Sequence, residues 1–168
     1  CFDGERKDDF DFSRLHFLNN WALGFGGGAM VRIGRIDGSS ILELSNCDFT
    51  RNASRVRNGA LLIDTRQLLY TKSVLIKKCH FIENDTLPTM QVTFGEANAV
   101  IGISLLGLDN SGSILLSDCN IRKNRTKNNS YIVNIDFYDI KMLQVEKSVF
   151  AENFYVSVQK VRVNPGLL

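Results

Sequence analysis

No stretch of this chain strings together the ~18 apolar residues that a membrane-crossing helix needs, so no spanning segment is expected. Charge of one sign is also scarce. Twenty Lys and Arg stand against 18 Asp and Glu, a formal net charge of +2, which gives no field for gathering nucleic acid. The one basic cluster, Arg122, Lys123, Arg125 and Lys127, has no aromatic residues between its charges and reads as a solvated corner. Nor is there a convincing amphipathic helix with caps. Gly24–Gly28 is glycine-rich but lacks the Lys-Ser/Thr and the helix that phosphate binding requires, so it reads as a tight corner.

What is present is a repeat. Phe-x-x-Asn occurs at Phe17–Asn20, Phe49–Asn52, Phe81–Asn84 and Phe150–Asn153, and Ile121–Asn124 is a fifth copy with an aliphatic lead. The copies are 32, 32, 40 and 29 residues apart, a period typical of solenoids. Seven residues before each lead position stand Phe10, Leu42, Val74, Ile114 and Leu143. Five before stand Phe12, Leu44, Ile76, Leu116 and Val145, and two before stand Leu15, Cys47, Cys79, Cys119 and Ser148. The step of two between the first pair of positions is a strand period. The following step of three puts one extra residue at a bend near Asn46, Lys78, Asp118 and Lys147. Two short strands joined by a corner, with side chains sent to one interior, describe a coil of a parallel β-helix. Further β-branched runs follow at 29–33, 60–63, 90–94, 100–105, 131–137 and 155–163. The run at 100–105 falls in the 40-residue coil, which is expected to hold an extra strand or an excursion around 106–113. The expected fold is all-β, a right-handed parallel β-helix of about five coils. At ~4.8 Å per coil the stack would stand roughly 25 Å tall, as one segment over residues 1–168.

Phe-x-x-Asn combined with Gly-Gly-Ala-aliphatic resembles the repeats of chlamydial polymorphic outer-membrane proteins and of related pectin-lyase-like β-helix surface proteins. The second element stands at Gly27-Gly28-Ala29-Met30, and more loosely at Asn58-Gly59-Ala60-Leu61. The resemblance implies a surface adhesin, although other members of the fold cleave polysaccharides, and a fold does not fix a function. The chain opens on Cys1 without a Met or a basic-apolar leader and closes on Pro165-Gly166-Leu167-Leu168. A segment of a larger protein is therefore expected, flanked by further coils or by protein neighbours at its open ends.

Cys47, Cys79 and Cys119 share one inward phase, so a column of buried reduced thiols is expected. A disulfide between stacked members is awkward because their Cβ vectors run parallel. Three ligands in a column cannot surround a metal ion. Cys1 lies outside the pattern. With them, Phe17, Phe49, Phe81, Ile121 and Phe150 form the expected interior ladder, and Asn20, Asn52, Asn84, Asn124 and Asn153 the expected corner ladder. Inward Asn side chains at a corner can satisfy backbone groups and one another. Asn52, Asn84 and Asn124 also open N-x-Ser/Thr sequons, as does Asn128, so all four are candidate glycosylation sites. The two roles compete at 52, 84 and 124, whereas Asn128 is free of conflict.

Catalysis needs a constellation, and none stands out. Asp136 and Asp139 have no carboxylate in the matching site one coil earlier, and Asp64 reads as a surface ion-pair partner of Arg32 or Arg35. His16 and His80 both sit one residue before the lead Phe, two coils apart, with Asp48 at that position in the coil between. They have no nucleophile and read as surface residues. Trp21 with Phe25, and Phe137 with Tyr138, are the aromatic candidates for a sugar platform. The expected function is a non-catalytic extracellular or cell-surface structural and adhesion scaffold, without cofactor or metal. A polysaccharide lyase- or hydrolase-like domain, or a carbohydrate-binding remnant of one, is the alternative.

Overall fold

The structure, a computed structural model, describes residues 2–6, 10–24, 26–36, 41–56, 58–65, 73–87, 99–108, 113–126, 131–139 and 142–153. The expected runs at 90–94 and 155–163, together with Cys1, Phe25, Lys127 and Asn128, lie outside the described residues, as do the side chains of Phe10, Asp136, Phe137, Tyr138 and Asp139.

The described residues form strands and no helix. The chain begins with β1 (Phe2–Arg6), then β2 (Phe10–Ser13), β3 (His16–Leu18), β4 (Trp21–Ala22) and β5 (Ala29–Ile36). The cycle returns as β6 (Ile41–Ser45), β7 (Asp48–Thr50), β8 (Ala53–Ser54) and β9 (Leu61–Thr65). It returns again as β10 (Ser73–Lys77), β11 (His80–Ile82), β12 (Asp85–Thr86) and β13 (Ala99–Leu108), and once more as β14 (Ser113–Ser117), β15 (Asn120–Arg122), β16 (Arg125–Thr126) and β17 (Tyr131–Asp139). β18 (Met142–Glu146) and β19 (Val149–Ala151) follow. Equivalent strands pair in parallel into four sheets, ordered β1-β5-β9-β13-β17, β2-β6-β10-β14-β18, β3-β7-β11-β15-β19 and β4-β8-β12-β16. This all-parallel, all-β order is consistent with a parallel β-helix.

Sequence reasoning left out the sheet β4-β8-β12-β16. Its strands are two residues long, too short to display a period, and their inward members Ser54, Thr86 and Thr126 are hydroxyls rather than hydrophobes. The expected excursion at 106–113 is corrected by the register. Ile101 pairs with Leu61 and Ile114 with Val74, so the stretch between them is the same length in both coils. The eight extra residues of the long coil fall between Thr86, still 32 residues from its partner Ser54, and Ile101, which is 40 from Leu61. The run at 100–105 is the regular strand of that coil. The glycine motif also shifts by one: Ala29 stands opposite Leu61, so Gly27 is the counterpart of Gly59 and Gly28 of Ala60.

Physical causes of the path are local. In β6 and β10 burial alternates strictly, sending Leu42 and Leu44, then Val74 and Ile76, into the core with exposures of 3% or less. Corners then turn the chain. Arg14, Asn46, Lys78, Asp118 and Lys147 have φ of 46–55°, and a second column, Asn19, Arg51, Glu83, Lys123 and Glu152, has φ of 54–56°. A left-handed conformation costs a non-glycine residue roughly 1–2 kcal/mol. It is held because the corner N–H groups keep the inter-coil ladder, as in Asn46 N–H to Lys77 C=O (3.0 Å) and Arg51 N–H to Ile82 C=O (3.0 Å). At the third corner Gly26 (φ 62°) and its counterpart Asn58 (φ 58°) do the same. Beside them the coils touch: a Cβ on Gly27 would collide with the Gly59 carbonyl oxygen of the next coil, and one on Gly59 with that of Asp85.

Candidate functional site

The lead positions stack. Phe17 and Phe49 have ring centroids 4.9 Å apart, Phe49 and Phe81 4.8 Å at an interplanar angle of 6°, and Ile121 and Phe150 continue the line. Phe49, Phe81 and Ile121 are fully buried, and Phe17 and Phe150 half-buried. Beside them the free thiols of Cys47, Cys79 and Cys119 donate to backbone carbonyls at 3.3–3.6 Å, each spanning from its own coil to the one before. The neighbouring Cys47 sulfur and burial push the Cys79 thiol well above its ordinary range, and burial pushes Cys119 up. Cys79 and Cys119, held protonated in this way, are poor nucleophiles and poor metal ligands.

Three residues on, the asparagines form a continuous internal ladder. Asn52 N–H and Nδ2 both donate to Asn84 Oδ1, at 2.9 and 3.1 Å, and Asn52 Nδ2 also donates to Phe17 C=O at 2.7 Å. Asn84 repeats this toward Asn124 and Phe49, and Asn124 toward Asn153 and Phe81. Asn20 caps one end, donating to Asn52, and is exposed; Asn153 closes the other and is half-buried. Asn52, Asn84 and Asn124 are fully buried, as are Ser54 and Thr86, with Thr126 nearly so. A glycan on any of these three amides would have to displace bonds of 2.7–2.8 Å to a carbonyl. The sequons at these corners thus have a packing cause: an inward carboxamide and, two residues later, an inward hydroxyl of the short sheet. Thr86 Oγ1, for example, donates to Ala99 C=O at 2.8 Å and accepts from Gly59 N–H at 3.0 Å.

Outward side chains form columns too. His16 Nδ1 lies 2.7 Å from one oxygen of Asp48 and His80 Nδ1 3.0 Å from the other, so one carboxylate ties three coils together. The shared position was legible in the sequence; the bridge was not, because it depends on Asp48 lying between the two imidazoles. Arg32 Nε meets Asp64 Oδ2 at 3.2 Å, the surface ion pair anticipated for that rung. Asp136 stands in register with Ser104, which is itself opposite Asp64.

The left-handed corner column and the outward face of the short sheet enclose a groove of about 480 Å³, lined by Arg51, Glu83, Asp85, Lys123, Arg125 and Glu152. Arg51 Nε bonds Glu83 Oε2 at 3.0 Å, and Lys123 Nζ lies 3.8 Å from Glu152 Oε2. Asp85 and Arg125 are register partners. Lys123 and Arg125, read from sequence as part of a basic cluster, therefore line a groove that carries as many acids as bases, while Arg122 lies outside it on β15 opposite Ile82. Among the described residues no group of three His, Cys, Asp or Glu side chains is arranged to hold a metal ion, and no helix is long and apolar enough to cross a membrane. Compared with protein-family models, curated proteins and solved structures, the chain matches none.

Proposed function

We propose that the chain is a non-catalytic structural and adhesive segment of an extracellular or cell-surface protein, built as a right-handed, pectin-lyase-like parallel β-helix. The observation that supports it best is where the repeat's chemistry goes. The thiols, carboxamides and hydroxyls at the repeating inward positions bond across to neighbouring coils, and outward charges such as Asp48 and Asp64 pair along the rungs. Stacking uses the residues that a catalytic site would have to spare.

The exposed inward phase of β18 supports further coils or protein neighbours as partners. Leu143 and Val145 occupy the inward phase of β18 and are 39% and 48% exposed, whereas Ile114 and Leu116 one coil earlier are fully buried. An apolar lining left exposed beside a strand is a surface that proteins cover. The carbohydrate-active alternative draws on the carboxylates of the charged groove.

Two measurements test the proposal. Immobilised protein should retain cells or glycans while leaving a panel of polysaccharides at full length. New reducing ends or unsaturated uronates would replace it with the enzymatic alternative, and no retention of cells or glycans would remove the adhesive part. If the chain passes through a glycosylating secretory route, peptide mapping should place a glycan at Asn128. A glycan on Asn52 or Asn84 of the folded protein would break the internal ladder.

A further inference from the structure

We propose that the groove bounded by Arg51, Glu83, Asp85, Lys123, Arg125 and Glu152 binds a neutral, extended glycan chain laid along the stack, with Trp21 as a platform at one end; this rests on the adhesive reading above. The groove is periodic because its walls are columns. Arg51, Glu83, Lys123 and Glu152 follow one another at the left-handed corner, one per coil, and Asp85 and Arg125 follow Ala53 on the adjacent short sheet. A ligand lying in it therefore meets a charged group every ~4.8 Å. Such a wall suits a polymer of similar repeating units.

The charges select the kind of polymer. Three cations face three carboxylates, so a polyanion gains at the former what it loses at the latter. Sugar hydroxyls both donate and accept: a carboxylate takes two O–H bonds from a vicinal pair, and a guanidinium gives two N–H bonds in a fixed fork. Arg51–Glu83 and Lys123–Glu152 are already paired across coils, which holds the groups in place before a ligand arrives. Trp21 shares the column of Ala53, Asp85 and Arg125, two coils from Asp85, and is 57% exposed. Ala53 between them is small and adds no long side chain to the column between Trp21 and Asp85. An indole plate offers apolar contact to the C–H face of a pyranose, with polar groups beyond it to fix orientation. A protein partner fits less well, because the centre of a protein interface is depleted of charge and this groove is charged throughout.

The test is binding of neutral hexose polymers (dextran, mannan and a soluble β-glucan) and of heparin to the intact chain, to Trp21→Ala, to the double variant Asp85→Asn/Arg125→Gln, and to Lys77→Gln on another face. Each variant is first checked for an unchanged unfolding midpoint. Expected is saturable binding of at least one neutral polymer, weakened tenfold or more in both groove variants, unchanged in Lys77→Gln, and exceeding heparin binding. Four results overturn the proposal: no neutral polymer binds, heparin is preferred, the groove variants bind as well as the parent, or Lys77→Gln weakens binding equally. Cell attachment separates it from the adhesive reading. Attachment that persists without glycan binding leaves that reading standing and removes this one. Attachment lost in Trp21→Ala without glycan binding indicates a protein ligand in place of a sugar.

Discussion

Replacing Asn84 with Ala should destabilise the fold far more than the same change at the end of the ladder. The substitution removes four hydrogen bonds: from Asn52 N–H and Asn52 Nδ2 to Asn84 Oδ1, and from Asn84 Nδ2 to Phe49 C=O and Asn124 Oδ1. At about 1 kcal/mol each, the loss is roughly 4 kcal/mol. The Asn52 N–H and one amide hydrogen are left facing a buried slot, which raises the cost, and a water entering that slot lowers it. Asn153→Ala removes three similar bonds, but from a half-buried side chain at the end of the ladder whose place water can take, so about 1 kcal/mol is expected. A domain of ordinary stability has ~5–15 kcal/mol in hand, so Asn84→Ala should shift the urea midpoint strongly without changing the slope. If that variant does not accumulate, Asn84→Ser compared with Asn153→Ser still reports the middle-to-end gradient. Equal losses at Asn84 and Asn153, or a loss below about 1 kcal/mol at Asn84, would refute the ladder as the principal support of this corner.

Two other outcomes follow from the same columns. Asp48→Ala removes both imidazole contacts, but from half-exposed groups, so the stability loss at neutral pH should be about 0.5–1 kcal/mol by chemical denaturation; a loss above about 2 kcal/mol would mean the bridge is more than a surface pair. Cys119 has a folded value raised by burial above that of the unfolded thiol, so its contribution is whole below the unfolded value of about 8.5 and declines as pH rises past it. Melting temperature should therefore fall less steeply above that pH in a Cys119→Ala variant than in the parent; parallel pH profiles would contradict the burial of this thiol.

Much of this was legible because a parallel stack repeats its inward residues. Phe49 and Phe81, Cys47 and Cys79, and Asn52 and Asn84 are the same solution to the same slot, so the 32-residue step and the bend at Asn46 and Lys78 could be read directly. The second corner column was not legible. Arg51, Glu83 and Lys123 carry no signature of a left-handed backbone, since the inter-coil hydrogen bonds and not the residue type hold them there. The short sheet hid for a related reason: Ser54 and Thr86 fill its inward positions and look like the ends of sequons. The eight-residue excursion was assigned to the wrong side of β13 because period-two alternation marks strands and says nothing about which loop between them is long. The groove follows from those missed pieces, as it lies between the unread corner column and the unread sheet.

The central claim is register: residues 32 apart, and 40 apart across the long coil, are neighbours in parallel strands. Side-chain nuclear Overhauser effects measured on methyl-labelled protein test it most directly. Cross-peaks are predicted between Leu42 and Val74, between Val74 and Ile114, and between Leu61 and Ile101. Cross-peaks joining Leu61 to a residue 32 positions later in place of Ile101, or strong cross-strand Hα–Hα peaks of antiparallel pairing between these segments, would contradict it.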